Sequence, residues 1–295
     1  MSFGAKEVAE LRAMTGVGMM KCKEALTECN GNLEEAVNYL RKKGIAGAAK
    51  KIANVAAEGV LAVAVSADKK TAAMIELNCQ TDFVAKNDDF LAFAKKIAQF
   101  TLEKNSDNLE TVLAADFAGK SLNESILEQI SKIGEKIELR RIALVKSNGI
   151  VASYIHPVGS KVGALVSLEG EAATEEKALD LAMHVAASNP APEFRTRADI
   201  SAEVIAAEKK IEMDKEDLKG KPEEIKEKIV EGRISKLLAV KTLDEQPFIK
   251  NPDLKVKDYL GKATVDSFVL LKVGEGIEKK EDNFAAEVAS MMSGS

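Results

Sequence analysis

The hydrophobic period of this chain switches repeatedly between helical spacing and alternation, and that switching restricts its fold more than any other feature. Up to about residue 54 the apolar residues recur at helical spacing. From Gly59 to Ser66 (GVLAVAVS) and from Thr71 to Cys79 (TAAMIELNC) they recur every second residue, around the polar turn Asp68-Lys69-Lys70. That pattern predicts two paired strands. A helix is expected over about Asp88–Glu103, with Phe90, Phe93, Ile97 and Phe100 apolar. Another is expected over Leu122–Ile133, then a strand over Ile137–Lys146. The order recurs: strands over Gly149–Ile155 and Gly163–Leu168, a helix over about Thr174–Ser188, and a strand over Ala263–Val273. Sliding Gly59 onto Gly149 also lays the helix carrying Phe93 onto the one carrying Met183. The fold class is therefore α+β, with two related subdomains, each a three-stranded antiparallel sheet covered by helices.

Three further segments flank or interrupt the repeat. The first residues read as short helices, one carrying Val8, Leu11 and Met14, then a break at Thr15-Gly16-Val17-Gly18, then a helix from Met19 through Cys22 and Leu26. After the turn at Asn30-Gly31, Asn32 caps a third helix with Glu35 as its capping-box partner. Lys42-Lys43-Gly44 reads as its stop. A helical linker rich in Ala and Lys follows, up to Ala57. Within the second copy, Ile200–Val240 is dense in Glu and Lys. Val204, Ala207, Ile211 and Leu218 lie on one side, Gly220-Lys221-Pro222 breaks the run, and Ile225, Ile229 and Leu237 resume it. This predicts an antiparallel helical hairpin projecting as a two-helix arm. Phe284–Met292 reads as a C-terminal amphipathic helix after Val273-Gly274-Glu275-Gly276. The expected divisions are 1–54, 55–147, 148–198 with 241–273, the arm at 199–240, and 274–295.

Composition removes several function classes. The 295 residues carry 42 Lys+Arg against 47 Asp+Glu, a net charge of −5, which argues against a chain whose main task is gripping phosphate backbones. Three cysteines without a Cys-x-x-Cys pair signal neither a disulfide framework nor a zinc site, and fit a reducing compartment. The first residues (MSFGAKEVAE) have no apolar secretory core, and the longest apolar stretches, such as Val60–Val65, fall far short of a membrane span. A soluble intracellular protein is expected. Gly119-Lys120-Ser121 lacks the earlier glycine of a phosphate loop, Ala114 standing there. Gly16-Val17-Gly18 lacks the third glycine of a dinucleotide site. His156 and His184, the two histidines, are not spaced as a metal-binding helix pair. There is no Gly-x-Ser-x-Gly elbow. No acidic pair stands out.

The segment Glu76–Lys86 (ELNCQTDFVAK) speaks most clearly. Thr81 or Asp82 is placed to cap the coming helix, with Phe83 as a staple against its first turn. The alternative is a turn presenting an acid beside a protruding aromatic anchor, able to bury about 150–250 Å² in a partner. Thr81-Asp82-Phe83-Val84 resembles the central signature of bacterial elongation factor Ts. Leu11-Arg12, Thr15-Gly16-Val17-Gly18-Met19-Met20, Cys22-Lys23 and Ala25-Leu26 are similar to that family's other signature. Met183-His184-Val185-Ala186-Ala187-Ser188, Val273 to Lys279 and Phe284-Ala285-Ala286-Glu287-Val288 also match. Asn283 departs from the pattern, standing where the family has an acid. The resemblance spans nearly the whole chain, with several motifs in order.

The resemblance implies a guanine-nucleotide exchange factor for elongation factor Tu, acting in the cytoplasm. It implies no catalytic residue, cofactor, metal or covalent chemistry of its own, and no direct contact with nucleic acid or membrane. Residues 1–54 would be a ubiquitin-associated-like helical module docking on the GTPase through Leu11, Arg12, Met19 and Met20. Thr81, Asp82, Phe83 and Val84 would wedge beside the switch region and disturb its Mg²⁺ site. His184 would face the same partner, and the arm and C-terminal helix would reach Tu or a second subunit. Each has a plainer reading. One of Met19 and Met20 is expected in the core and the other exposed. A lone histidine is usually a satisfied structural residue. The arm's charge suits a solvated face. A scaffold that merely holds a partner, and an enzyme with an unrecognised acid pair, stay open as readings of the residues alone. Monomer, homodimer and 2:2 complex with the partner stay open too.

Overall fold

In the computed structural model the described residues are 3–15, 17–51 and 53–278. Gly16, Asn283 and the expected helix over Phe284–Met292 lie outside them. Three helices open the chain: α1 (Ala5–Thr15), α2 (Met19–Glu28) and α3 (Leu33–Lys51). Their shared core is Val8, Leu11, Val17, Cys22, Ala25, Leu26, Ala36 and Leu40. Asn32 caps α3 as expected, its Oδ1 accepting from the amides of Glu34 (3.0 Å) and Glu35 (3.1 Å). The stop at Gly44 does not act, and α3 runs on through the expected linker to Lys51. A mid-helix glycine costs only about 1 kcal/mol, which tertiary contact readily offsets. The helix lies along a later one, and Arg41 reaches Glu124 (4.0 Å) and Glu128 (3.8 Å) there.

The first copy runs β1 (Glu58–Val65), β2 (Thr71–Cys79), α4 (Asp82–Ala85), α5 (Asp88–Lys104), α6 (Leu109–Ala114), α7 (Leu122–Ile133) and β3 (Ile137–Lys146). The second runs β4 (Ile150–Ile155), β5 (Val162–Glu169), α8 (Glu175–Ala187), α9 (Ala202–Met213), α10 (Glu223–Lys241), β6 (Pro247–Phe248), β7 (Asn251–Lys255), α11 (Val256–Leu260) and β8 (Thr264–Lys272). The sheets have the orders β1-β2-β3 and β4-β5-β8, antiparallel throughout. The short α6, α11 and the β6–β7 ribbon carry too few residues for a periodic signal and are not expected from the sequence. The short α4 is a separate turn, whereas the cap expected at Thr81 or Asp82 leads straight into the longer helix.

The sliding of Gly59 onto Gly149 has a structural counterpart. A Cβ on Gly59 would stand 2.3 Å from the Leu77 carbonyl oxygen, and one on Gly149 2.0 Å from that of Leu168. Both glycines let an edge strand lie close on its neighbour at matched positions. The register breaks at matched positions too. A bulge falls between Glu76 and Leu77 opposite β3, and between Ser167 and Leu168 opposite β8.

The sheets are covered by helices on their outer faces only. Phe90, Phe93 and Ile97 of α5 and Ile126 and Ile130 of α7 pack on Val60, Ile75 and Leu77. Leu181 and Val185 of α8 and Leu260 of α11 pack on Val166 and Leu168. The inner faces meet through Leu61, Ala72, Met74 and Val145 against Val151, Leu165 and Leu271. The core is thus helix, sheet, sheet, helix, and each fully buried Leu, Ile or Met contributes about 1.5–3 kcal/mol.

The arm forms as an antiparallel pair, α9 against α10, with two differences from expectation. Its first helix ends at Met213, and a 3₁₀ turn at Glu216–Leu218 precedes Gly220. Its seam is rotated. Ile205, Met213, Val230, Ile234 and Leu238 pack inside together with the expected Leu218, Ile229 and Leu237, while Val204, Ala207, Ile211 and Ile225 are exposed. One residue is 100° of helix, so choosing Val204 in place of Ile205 turns the first helix's stripe outward.

Candidate functional site

The signature turn is rigid where it meets the fold and bare where it meets solvent. Thr81 follows β2 in an extended conformation and caps α4, its Oγ1 accepting from the Val84 amide at 3.3 Å. Its amide and hydroxyl both donate to Glu135, at 3.0 and 2.8 Å. Asn87 then caps α5 through the amides of Asp89 and Phe90. One turn of helix is therefore held between two caps. Ala85 is buried and Val84 packs against the core below. A single turn that sends those two inward sends Phe83 outward, and Phe83 is 81% exposed. Between the two readings of Phe83, the protruding aromatic holds and the staple does not. Asp82 beside it pairs with Lys86 at 2.6 Å, a contact that holds its carboxyl below the usual carboxylate range. Burial pushes the neighbouring Cys79 thiol up to about 12, so it is no nucleophile.

The N-terminal candidates divide differently. Leu11 is fully buried in the three-helix core, while Arg12 is exposed. Met19 and Met20 are both exposed, Met20 at 77%. The expectation that one of them enters the core is corrected, because Val17 and Cys22 fill that space. Met14 is exposed as well, so the end of α1 and the start of α2 present three methionines, a soft surface suited to an adaptable contact. The sequence marks Met14 only as a core candidate, since its spacing from Val8 and Leu11 is helical.

His184 is 1% exposed. Its Nδ1 accepts the Ile249 amide at 3.1 Å, which places the ring proton on Nε2. Nε2 then donates to Gln246 Oε1 at 2.9 Å. Gln246 is oriented by its own Nε2, which donates to the carbonyls of Pro190 (3.1 Å) and Val240 (2.5 Å). Burial lowers the histidine's pKa, and the Gln246 bond opposes this. The ring ties α8 to both ends of β6, to Gln246 before it and to Ile249 after it, and Ile249 is exposed. Neither Glu135 nor Gln246 was singled out from the sequence. Both act through folding partners 54 and 62 residues away.

The candidates thus stand on three separate cores. Among the described residues no hydrogen bond or ion pair joins the three groups, no cluster of His, Cys, Asp and Glu is placed to hold a metal ion, and no helix is long and apolar enough to cross a membrane.

The family model described as elongation factor TS matches residues 80–275. The elongation factor Ts of Hydrogenovibrio crunogenus is 47% identical, with 98% of each chain covered. That of Alkalilimnicola ehrlichii is 47% identical over the full length of both. That of Idiomarina loihiensis is 42% identical over 99% of this chain and 98% of its own. The matches to these relatives take in the signature turn, both sheets and the arm, so this chain belongs to the elongation factor Ts family.

Proposed function

We propose that this chain is a cytoplasmic guanine-nucleotide exchange factor for elongation factor Tu. The observation that carries the reading is Phe83, exposed on a turn that Thr81, Glu135 and Asn87 hold rigid, within a chain of this family. An exposed aromatic on a fixed base enters a partner's pocket without paying to order itself.

Exchange needs no catalytic group here. The GTPase and its Mg²⁺ hold the nucleotide. A factor that binds the nucleotide-free form more tightly than the loaded form must, by reciprocity, weaken nucleotide binding by the same ratio. Each 1.4 kcal/mol of differential contact is about tenfold. Phe83 and the Asp82 carboxylate would hold the switch elements away from the Mg²⁺-bound arrangement. GDP then leaves and GTP refills the site. Residues 1–54 act as a docking module through Arg12, Met14, Met19 and Met20, with Leu11 shaping it from within. Val84 anchors the wedge. His184 acts by holding the Gln246–Ile249 segment. The arm at 199–240 and the residues after 273 extend contact to Tu or to a second copy of the chain.

The test is release of a fluorescent GDP analogue from elongation factor Tu. Strong acceleration by the wild type, reduced at least about tenfold by Phe83→Ala and less by Asp82→Ala, is the expected result. Tight binding without acceleration overturns the exchange reading in favour of a scaffold.

A further inference from the structure

The strand that leads to Phe83 carries an unusual face. Ala72 and Met74 of β2 point into the core between the sheets, while Ile75, Leu77 and Cys79 point to the helices. Alternation puts Glu76, Asn78 and Gln80 on the inter-sheet side, so that face turns from apolar to polar halfway along. Glu76 and Asn78 are fully buried, and a buried polar group is costly without partners.

The partners come from two remote parts of the chain. Glu76 Oε1 accepts the Gly274 amide at 2.8 Å. Its carboxylate also receives Arg140 Nη1 at 3.2 Å and the Arg141 Nε–H. Those two consecutive side chains reach one carboxylate because the bulge sets Arg140 as the extra residue opposite Glu76 and Leu77. Both arginines go on to the turn after β8. Arg140 Nη2 donates to the Glu275 carbonyl (2.6 Å), Arg141 Nη2 to that of Lys272 (2.7 Å), and Arg141 Nη1 to the Glu275 carboxylate (3.2 Å). Asn78 Nδ2 donates to the Ala56 carbonyl at 3.1 Å. Gln80 Oε1 accepts from Asn54 Nδ2 (3.1 Å) and from the Lys136 amide (2.7 Å). Ala56 and Asn54 lie in the segment between α3 and β1. That segment and the turn also touch, since a Cβ on Gly274 would stand 2.3 Å from the Ala57 oxygen.

We infer that Glu76, Asn78 and Gln80 are positioning residues that hold the linker from the N-terminal helices and the turn after β8 on one strand, fixing the methionine-bearing helices relative to Phe83. Glu76 fixes the turn. Asn78 and Gln80 fix the linker, and Thr81 follows Gln80 directly. Two contact surfaces on separate cores then meet a partner in a set relation, without ordering themselves on binding. This inference rests on the exchange reading.

Two measurements test it. Amide hydrogen exchange on the free protein reads the tie itself: Gln80→Ala should speed exchange over residues 53–57, while Gln80→Glu, which keeps the acceptor, should not. Stimulated GDP release reads the consequence. Gln80→Ala should lose about tenfold, Gln80→Glu should recover to within about twofold, and Gln80→Ala with Met20→Ala should lose less than the product of the two. Glu76→Gln, which loosens the turn packed against that segment, should likewise lose less together with Met20→Ala than the product of the two. Unchanged exchange at 53–57, equal behaviour of Gln80→Ala and Gln80→Glu, or a multiplicative Gln80–Met20 pair with wild-type acceleration intact would overturn the inference alone. Wild type that fails to speed GDP release would overturn the exchange reading and this inference with it.

Discussion

The two halves of the core share a plan and differ in what they attach to it. Both have an edge glycine lying over a leucine carbonyl, the same strand order and a bulge on the third strand at the same place. In the first half the bulge brings Arg140 and Arg141 to a buried carboxylate. In the second it brings Asp266 and Ser267 to Ser167, whose hydroxyl lies 3.0 Å from the Asp266 carboxylate and 2.9 Å from the Ser267 hydroxyl. The first half follows its central strand with an exposed aromatic. The second follows its own with α8, whose histidine is turned inward. Backbone geometry has been kept while side-chain chemistry has diverged, because a glycine contact or a bulge constrains main chain whatever surrounds it.

The sharpest way to break this contrast is to remove each bulge's polar centre. Glu76→Ala strands two arginines and should cost about 3–5 kcal/mol in denaturant unfolding. Ser167→Ala should cost about 1 kcal/mol. Similar losses would mean the two bulges are energetically alike. Gly59→Ala and Gly149→Ala come next. Each drives a methyl into a backbone oxygen and should cost about 1–3 kcal/mol, nearly equally. If one is tolerated, the two glycines are not equivalent.

Acid should distinguish the halves more gently. Burial depresses His184 from 6.5 in the folded state. The folded protein then binds fewer protons than the unfolded chain below that pH. Its contribution is complete above about 6.5 and is lost as pH falls toward the lowered folded value. Unfolding midpoints at pH 7.5 and 5.5 should show the loss. His184→Asn, whose side-chain oxygen can still accept the Ile249 amide, should shrink it. The smallest effect on stability should come from Phe83→Ala, within about 0.5 kcal/mol, since the ring touches little of its own chain. A large loss there would mean that the ring supports the fold and is not free for a partner.

The sequence discloses these features unevenly. The strands, the repeat and the caps at Asn32 and Thr81 are written in local patterns. So is the prominence of the Phe83 turn, although only its surroundings decide between anchor and staple. The bulges are invisible, because Arg140-Arg141 looks like any charged pair until a register shift turns both to one side. The burial of His184 depends on Gln246 and Ile249, which no local spacing connects to it. The arm's seam is misread in its first helix and at Ile225, since in a segment so rich in Glu and Lys several apolar stripes are nearly as good, while Leu218, Ile229 and Leu237 lie where the spacing puts them.

The meeting of Ala57 with Gly274 has a topological consequence. The chain comes into the first sheet and leaves the second at one corner, so residues 57–274 are nearly a closed ring. New termini could be cut in an exposed connection such as the Lys219-Gly220-Lys221 turn of the arm and the old corner sealed by a very short linker, with little loop entropy to offset. A ring of this kind is also portable: it can be set into a surface loop of another protein through two points that already lie side by side.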